Sequence, residues 1–190
     1  MAIFERINVN RIEKALFVGF GSGEEIAQLS SKLGRGALIY GIEINAMLVE
    51  ASQNRLKEIP QKLVLQSARA ESLPFESTSM DFVFCRIVLS EIPDWKRAVA
   101  EMVRVIRPHG RVVIVDFVSY NPDWLAVSGD AHPGLDPEMV AGVLQAHGMR
   151  ILQLDNAAGK GTIGSLHGER LWVETFFLEA IKEAEETLNP

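Results

Sequence analysis

A chain of 190 residues, 47% apolar and 23% charged, has the make-up of a soluble globular protein and the length of one domain, residues 1–190, which excludes disordered and fibrous classes. Its 19 basic against 25 acidic residues give a net charge of −6 with no long basic run, which argues against nucleic acid as a partner. One cysteine, Cys85, can form neither an internal disulfide nor a cysteine-built zinc site. The charged start lacks the apolar core of a secretion signal and no apolar run approaches roughly 18 residues, so the expectation is a cytoplasmic protein without a metal centre or a membrane span.

Short apolar runs alternate with longer amphipathic segments, the pattern of βαβ units. Residues 15–19 read as a buried first strand and 24–33 as a helix; 37–42 read as the second strand, after which Asn45 caps a helix running to about Glu58, ahead of Pro60. Residues 63–66 and 82–85 read as the third and fourth strands. Asp94 opens a helix with an apolar stripe of Ala98, Met102, Val105 and Ile106, with Arg104 and Arg107 near its end and Pro108-His109-Gly110 closing it. Val112 to Val115 run apolar without a break, as in a central strand buried on both faces, which makes residues 111–117 the fifth strand. Asp136-Pro137 starts a helix over 138–146, and Gly148 stops it. Residues 149–154 and 170–178 read as two more strands, Asn156 to Gly168 as a glycine-rich surface loop, and 179–188 as an amphipathic helix.

The run Leu16-Phe17-Val18-Gly19-Phe20-Gly21-Ser22-Gly23 sets three glycines between a buried strand and a helix start. Glycine permits the tight turn and a close ligand approach to the main chain, while free N–H groups at a helix start attract a carboxylate or phosphate. Such a loop alone is as often a plain strand-to-helix turn. Glu43, 20 residues after Gly23 at the end of the second strand, stands where an acid accepts hydrogen bonds from two ribose hydroxyls. A nucleoside ligand is therefore favoured over a merely solvated or helix-capping carboxylate. The spacing is GxGxG. A dinucleotide motif would need glycine at position 24, where Glu24 would instead face the pyrophosphate, so NAD ranks behind a ligand with a single carboxylate end such as S-adenosylmethionine.

With the blocks Ala70-Glu71-Ser72-Leu73-Pro74-Phe75, Met80-Asp81-Phe82-Val83 and Arg104-Val105-Ile106-Arg107-Pro108-His109-Gly110-Arg111, the chain resembles the class I methyltransferases over about residues 15–155, in particular the type 11 group that includes the ubiquinone and menaquinone C-methyltransferases. The resemblance implies an α/β, Rossmann-like, doubly wound sheet of seven mostly parallel strands, the last antiparallel, with helices on both faces. It implies S-adenosyl-L-methionine as cofactor and S-adenosyl-L-homocysteine as product. Gly19, Gly21, Ser22 and Gly23 would surround the methionine part, Glu43 the ribose, and Ile44, Met47 and the Ala70 main chain the adenine. Cys85 and Arg86 would lie beside the sulfonium and amino group. For Met47, plain core packing is an equal alternative.

The chain departs from that pattern at four places. Phe17 replaces an acid, Phe20 a small loop residue, Arg69 an Asp or Asn facing the adenine amine, and Arg86 a small polar residue. Each loss removes a hydrogen bond of about 0.5 to 1.5 kcal/mol, so weakened cofactor binding is expected. The short segment before the first strand would leave the site open, or closed by a second copy of the chain in a homodimer. Methyl transfer needs mainly positioning, and Glu91, Asp116, Tyr120 and His132 are the candidate bases should the small-molecule acceptor require one. Trp124 and Leu125 are expected to cover a partly apolar acceptor. Two alternatives remain: an inactive binding or regulatory protein on the same scaffold, and a nicotinamide-dependent oxidoreductase.

Overall fold

The computed structural model describes residues 3–118, 134–164 and 170–184. After a four-residue helix α1 (Ile3–Arg6), the chain runs β1 (Lys14–Val18), α2 (Glu24–Ser30), β2 (Leu38–Glu43), α3 (Ala46–Arg55) and β3 (Lys62–Ser67). It continues through β4 (Met80–Arg86), a 3₁₀ turn (Leu89–Glu91), α4 (Trp95–Val105), β5 (Ile106–Phe117), α5 (Pro137–Ala146), β6 (Met149–Gly164) and β7 (Arg170–Lys182). The seven strands form one sheet in the order β3-β2-β1-β4-β5-β7-β6. β1 to β5 pair in parallel, and β7 is antiparallel to both β5 and β6. Strand order therefore reverses between β1 and β4, and the crevice beyond the carboxyl ends of those two strands is where such sheets bind ligands.

Side chains alternate across the central strands because the strand period is two. Leu16, Val18, Val83, Val112 and Ile114 join Met102 of α4 and Leu144 of α5 in one buried cluster. Ala15, Phe17, Phe82, Phe84, Val113 and Val115 face the other way, against Ile26 and Leu29 of α2 and Ile7, Val9 and Ile12 of the amino-terminal segment. Phe17, the residue in place of an acid, is thus core, its ring 5.8 Å from that of Phe84.

The expected caps form: Asn45 accepts from Met47 N at 3.0 Å, Asp94 from Arg97 N at 3.4 Å, and Asp136 from Glu138 N at 2.9 Å. Several boundaries differ from the sequence reading. The 24–33 helix ends at Ser30, where Gln61 Nε2 donates to the Ser30 and Leu33 carbonyls at 2.8 and 3.1 Å and takes over the helix end. α4 stops at Val105, because Pro108 and the extended backbone of Ile106 forbid another turn. Arg107 has therefore left the helix, and its Nε lies 2.6 Å from Asp81 Oδ1.

The stretch expected as a loop from Asn156 is strand as far as Gly164, with Gly159 to Gly164 paired to Thr175 to Arg170. The expected helix from Glu179 is instead the end of β7, where Glu179, Ala180 and Ile181 pair with β5 on one side and β6 on the other. Two ladders satisfy those backbone groups, and this outweighs the local amphipathic pattern. Tyr120, Trp124, Leu125 and His132, and the tail beyond residue 184, lie outside the described residues. Among the described residues no helix is long and apolar enough to cross a membrane.

Candidate functional site

The glycine loop folds back onto β2: the Gly19 and Phe20 amides both donate to the Ile42 carbonyl, at 2.8 and 3.4 Å. Gly19, Gly21 and Gly23 have φ of 65°, 51° and 78°, the left-handed region that favours glycine. At Gly19 space alone demands it, since a Cβ there would lie 2.3 Å from Val88 Cγ2. Phe20 turns its ring away from the loop's open side into the core against Gly41, where a Cβ would meet the ring at 2.7 Å. A bulky loop residue is thus accommodated by a missing side chain on β2.

Glu43 ends β2, nine-tenths buried, and its carboxylate binds the loop directly. Oε2 accepts from the Gly21 amide at 3.0 Å and Oε1 from the Asn45 amide at 3.1 Å. An ionised carboxylate has about four acceptor positions, so roughly two stay open. Beside it lies a cavity of about 350 Å³, within the range of roughly 300 to 1,000 Å³ common for small-molecule sites. Gly19, Gly21 and Glu43 form one side of this space, and Ile44, Arg69 and Ala70 another. Ile87, Val88, Glu91, Ile92 and Pro93 close it from beyond β4.

Two networks, the first partly buried and the second fully so, shape the walls. Arg104 on α4 donates to the carbonyls of Leu73 and Phe75 at 3.0 and 2.7 Å, and to both oxygens of Glu101. Glu101 in turn accepts the Leu73 amide at 2.8 Å. The pairing of the AESLPF block with a distant arginine therefore has a mechanical reason: it fixes the chain that follows Ala70. The Arg104 hydrogen bond, against opposing burial, holds the Glu101 carboxyl below its usual 4.5. For Glu71, burial pushes up, but its backbone hydrogen bond and the Arg69 and Arg97 guanidinium groups together hold it lower.

The second network centres on Asp116, fully buried at the end of β5. One of its oxygens accepts the amides of Val88, Leu89 and Ser90 at 3.1, 2.9 and 3.3 Å, and the other that of Phe117 at 2.8 Å. This pulls the chain after β4 into a sharp bend with Ile87 at φ 52°, an uncommon value for a β-branched residue. Ile87 and Val88 are thereby set against the cavity.

A pH dependence follows from the first network. Both folded carboxyl values lie below the usual one, so the stability these groups contribute is complete above pH 4.5 and lost as pH falls through the lower folded values. The urea midpoint should drop as pH falls below about 4.5, and Glu101→Gln should flatten that drop. An unchanged slope in the variant would remove the Glu101–Arg104 pair as its source.

Of the residues marked in the sequence, Gly19, Gly21, Glu43, Ile44, Arg69 and Ala70 meet around the cavity. Ser22 and Gly23 lie in the turn into α2, where Gly23 packs on Leu56 and Ser52. Met47 is 79% exposed on α3. Cys85 is enclosed in the core, its thiol pushed well up by burial and by the Asp116 carboxylate. Arg86 points to the opposite face of the sheet, its Nη1 2.5 Å from Glu25 on α2. Of the candidate bases, Asp116 is occupied by backbone amides and Glu91 lines the cavity. Ile42, Ala68, Glu71, Ile87, Val88, Ile92 and Pro93 were not marked in the sequence, although their position after strand ends is a usable signal.

Comparison with known proteins adds the chemical context. A family model described as a methyltransferase domain matches residues 16–114. A demethylmenaquinone methyltransferase of Anoxybacillus flavithermus is 30% identical over 113 residues, 59% of this chain and 48% of that protein. A ubiquinone/menaquinone biosynthesis C-methyltransferase of Pectobacterium carotovorum is 29% identical over 111 residues, 57% of this chain and 44% of its own. The matched chain thus spans about half the length of these relatives. Among solved structures, a SAM-dependent methyltransferase from Methanosarcina mazei superposes with a TM-score of 0.74 at 20% identity, covering 94% of this chain and 96% of that one, which shows a shared fold.

Proposed function

We propose that this chain, which belongs to the methyltransferase domain family, holds S-adenosylmethionine in the cavity beside Glu43 and presents its methyl group to a small-molecule acceptor. The observation that carries this reading is the half-used Glu43 carboxylate. Two loop and helix amides take one acceptor position on each oxygen, and the two that remain match the two hydroxyls of a ribose. Ile44 and Ala70 supply apolar edges suited to adenine, and the Gly19 and Gly21 main chain lies open to the part of the ligand beyond the ribose.

The bound cofactor supplies an activated methyl group on a sulfonium, whose transfer is a direct displacement. The chain's own contribution is position and dryness. Glu43 fixes the ribose, the Glu101–Arg104 network fixes the wall after β3, and Asp116 fixes the wall after β4, while Ile87, Val88 and Ile92 exclude water. The first acceptors to try are partly apolar ring compounds of the quinone type, in keeping with the names of the matched relatives. A reducing cytoplasm suits the single buried thiol of Cys85.

A nicotinamide dinucleotide fits less well. Its pyrophosphate would meet Glu24 in the first turn of α2, at the position where the dinucleotide motif has its third glycine. The departures at Phe17 and Phe20 do not close the site, since both rings are buried in the core. Calorimetry with S-adenosylmethionine, S-adenosylhomocysteine and NAD separates these readings: the two adenosyl ligands are expected to bind and NAD is not. Binding of NAD alone, or of none of the three, would defeat the proposal.

A further inference from the structure

Resting on the adenosyl reading of the cavity, we propose that Glu91 is a specificity-determining residue that makes the site distinguish the positively charged sulfonium cofactor from its neutral thioether product. Four charged side chains line the cavity: Glu43, Glu71, Glu91 and Arg69. Three carboxylates against one guanidinium leave a net charge of −2 among the described residues.

These charges are not equivalent. Arg69 and Glu71 cancel each other, with Nη2 and Oε1 2.6 Å apart. Glu43 is compensated by the two amide dipoles it accepts. Glu91 is exposed at the end of the 3₁₀ turn, and among the described residues its carboxylate has neither a hydrogen bond nor an ion pair. Its field is therefore the uncompensated one in the site.

The size of the cavity makes that field matter. A sphere of about 350 Å³ is roughly 9 Å across, so a sulfonium anywhere inside lies within about that distance of Glu91. At effective dielectric constants between those of a protein surface and of water, one such charge pair changes an equilibrium by about three- to ten-fold. S-adenosylhomocysteine has no charge on sulfur and does not gain this attraction. Once the methyl group has left, this contribution to binding is lost.

Calorimetric titration of adenosine, S-adenosylhomocysteine and S-adenosylmethionine into the wild-type chain, Glu91→Gln and Glu91→Asp tests this. Glu91→Gln should weaken S-adenosylmethionine about three- to ten-fold and leave the other two ligands unchanged, while Glu91→Asp keeps the wild-type preference. Equal weakening of all three, or an unaltered ratio of cofactor to product affinity, overturns the assignment and leaves the nucleoside site standing. A wild-type chain that takes none of the three overturns the adenosyl reading and this proposal with it.

Discussion

Glu43→Ala should weaken binding of every adenosyl ligand by about 1.5 to 3 kcal/mol, ten-fold or more in Kd, and is the most damaging single change expected at the ligand. Hydrogen bonds to a charged acceptor lie at the upper end of the usual range, and the two ribose hydroxyls would lose theirs together. The effect has a second part, because the Gly21 and Asn45 amides lose their acceptor as well and the glycine loop loses one of its ties to β2. Glu43→Gln keeps one oxygen and should fall between wild type and alanine. Calorimetry gives the ligand term and thermal unfolding the loop term. A well-folded Glu43→Ala chain with an undiminished affinity for S-adenosylhomocysteine would take Glu43 out of the site.

The largest expected effect on stability belongs to Asp116→Ala, about 2 to 4 kcal/mol. Burial pushes the Asp116 carboxyl above its ordinary 3.8, against the hydrogen bonds it accepts. The sign is informative: a raised folded value means that this group favours the native state most below pH 3.8 and that the advantage fades as pH rises through the folded value. Ionisation therefore costs stability, and its charge is not the reason the residue is useful. The reason is the acceptor count, for alanine would take away the shared acceptor of the Val88, Leu89 and Ser90 amides in the bend after β4. Urea unfolding of the variant measures the loss, and adenosine titration shows whether the wall formed by Ile87 and Val88 goes with it. A midpoint equal to that of the wild type would show that the bend after β4 holds itself.

The comparison of sequence with structure divides along physical lines. Strands with unbroken apolar runs, caps such as Asn45 and Asp136-Pro137, and the glycine loop with its acid were all legible, because each is encoded within a few neighbouring residues. The face that a strand residue presents was not. In β4 every residue from Met80 to Cys85 is buried, Asp81 included, so polarity does not alternate with face and nothing local shows that Cys85 enters one core and Arg86 the opposite face. The bend at Ile87 was hidden for a different reason: a β-branched residue argues against such a conformation, and the carboxylate that imposes it is 29 residues further along the chain. β7 was cut short because its end is held by pairing on both sides, which leaves no local trace.

The position of β7 between β5 and β6 sets an order on synthesis. β6 leaves the ribosome before β7, yet among the described residues β7 is its sole partner in the sheet. Until residues up to Lys182 are available, the outer edge of β5 and the whole of β6 are bare edges able to pair with another chain. Lys182 then fastens the arrangement, its Nζ donating to the Val103 and Ile106 carbonyls at 2.9 and 3.0 Å, where α4 gives way to β5. β7 acts as a wedge driven in between β5 and β6 after both are made, and a nascent chain stalled before it leaves those edges exposed to aggregation.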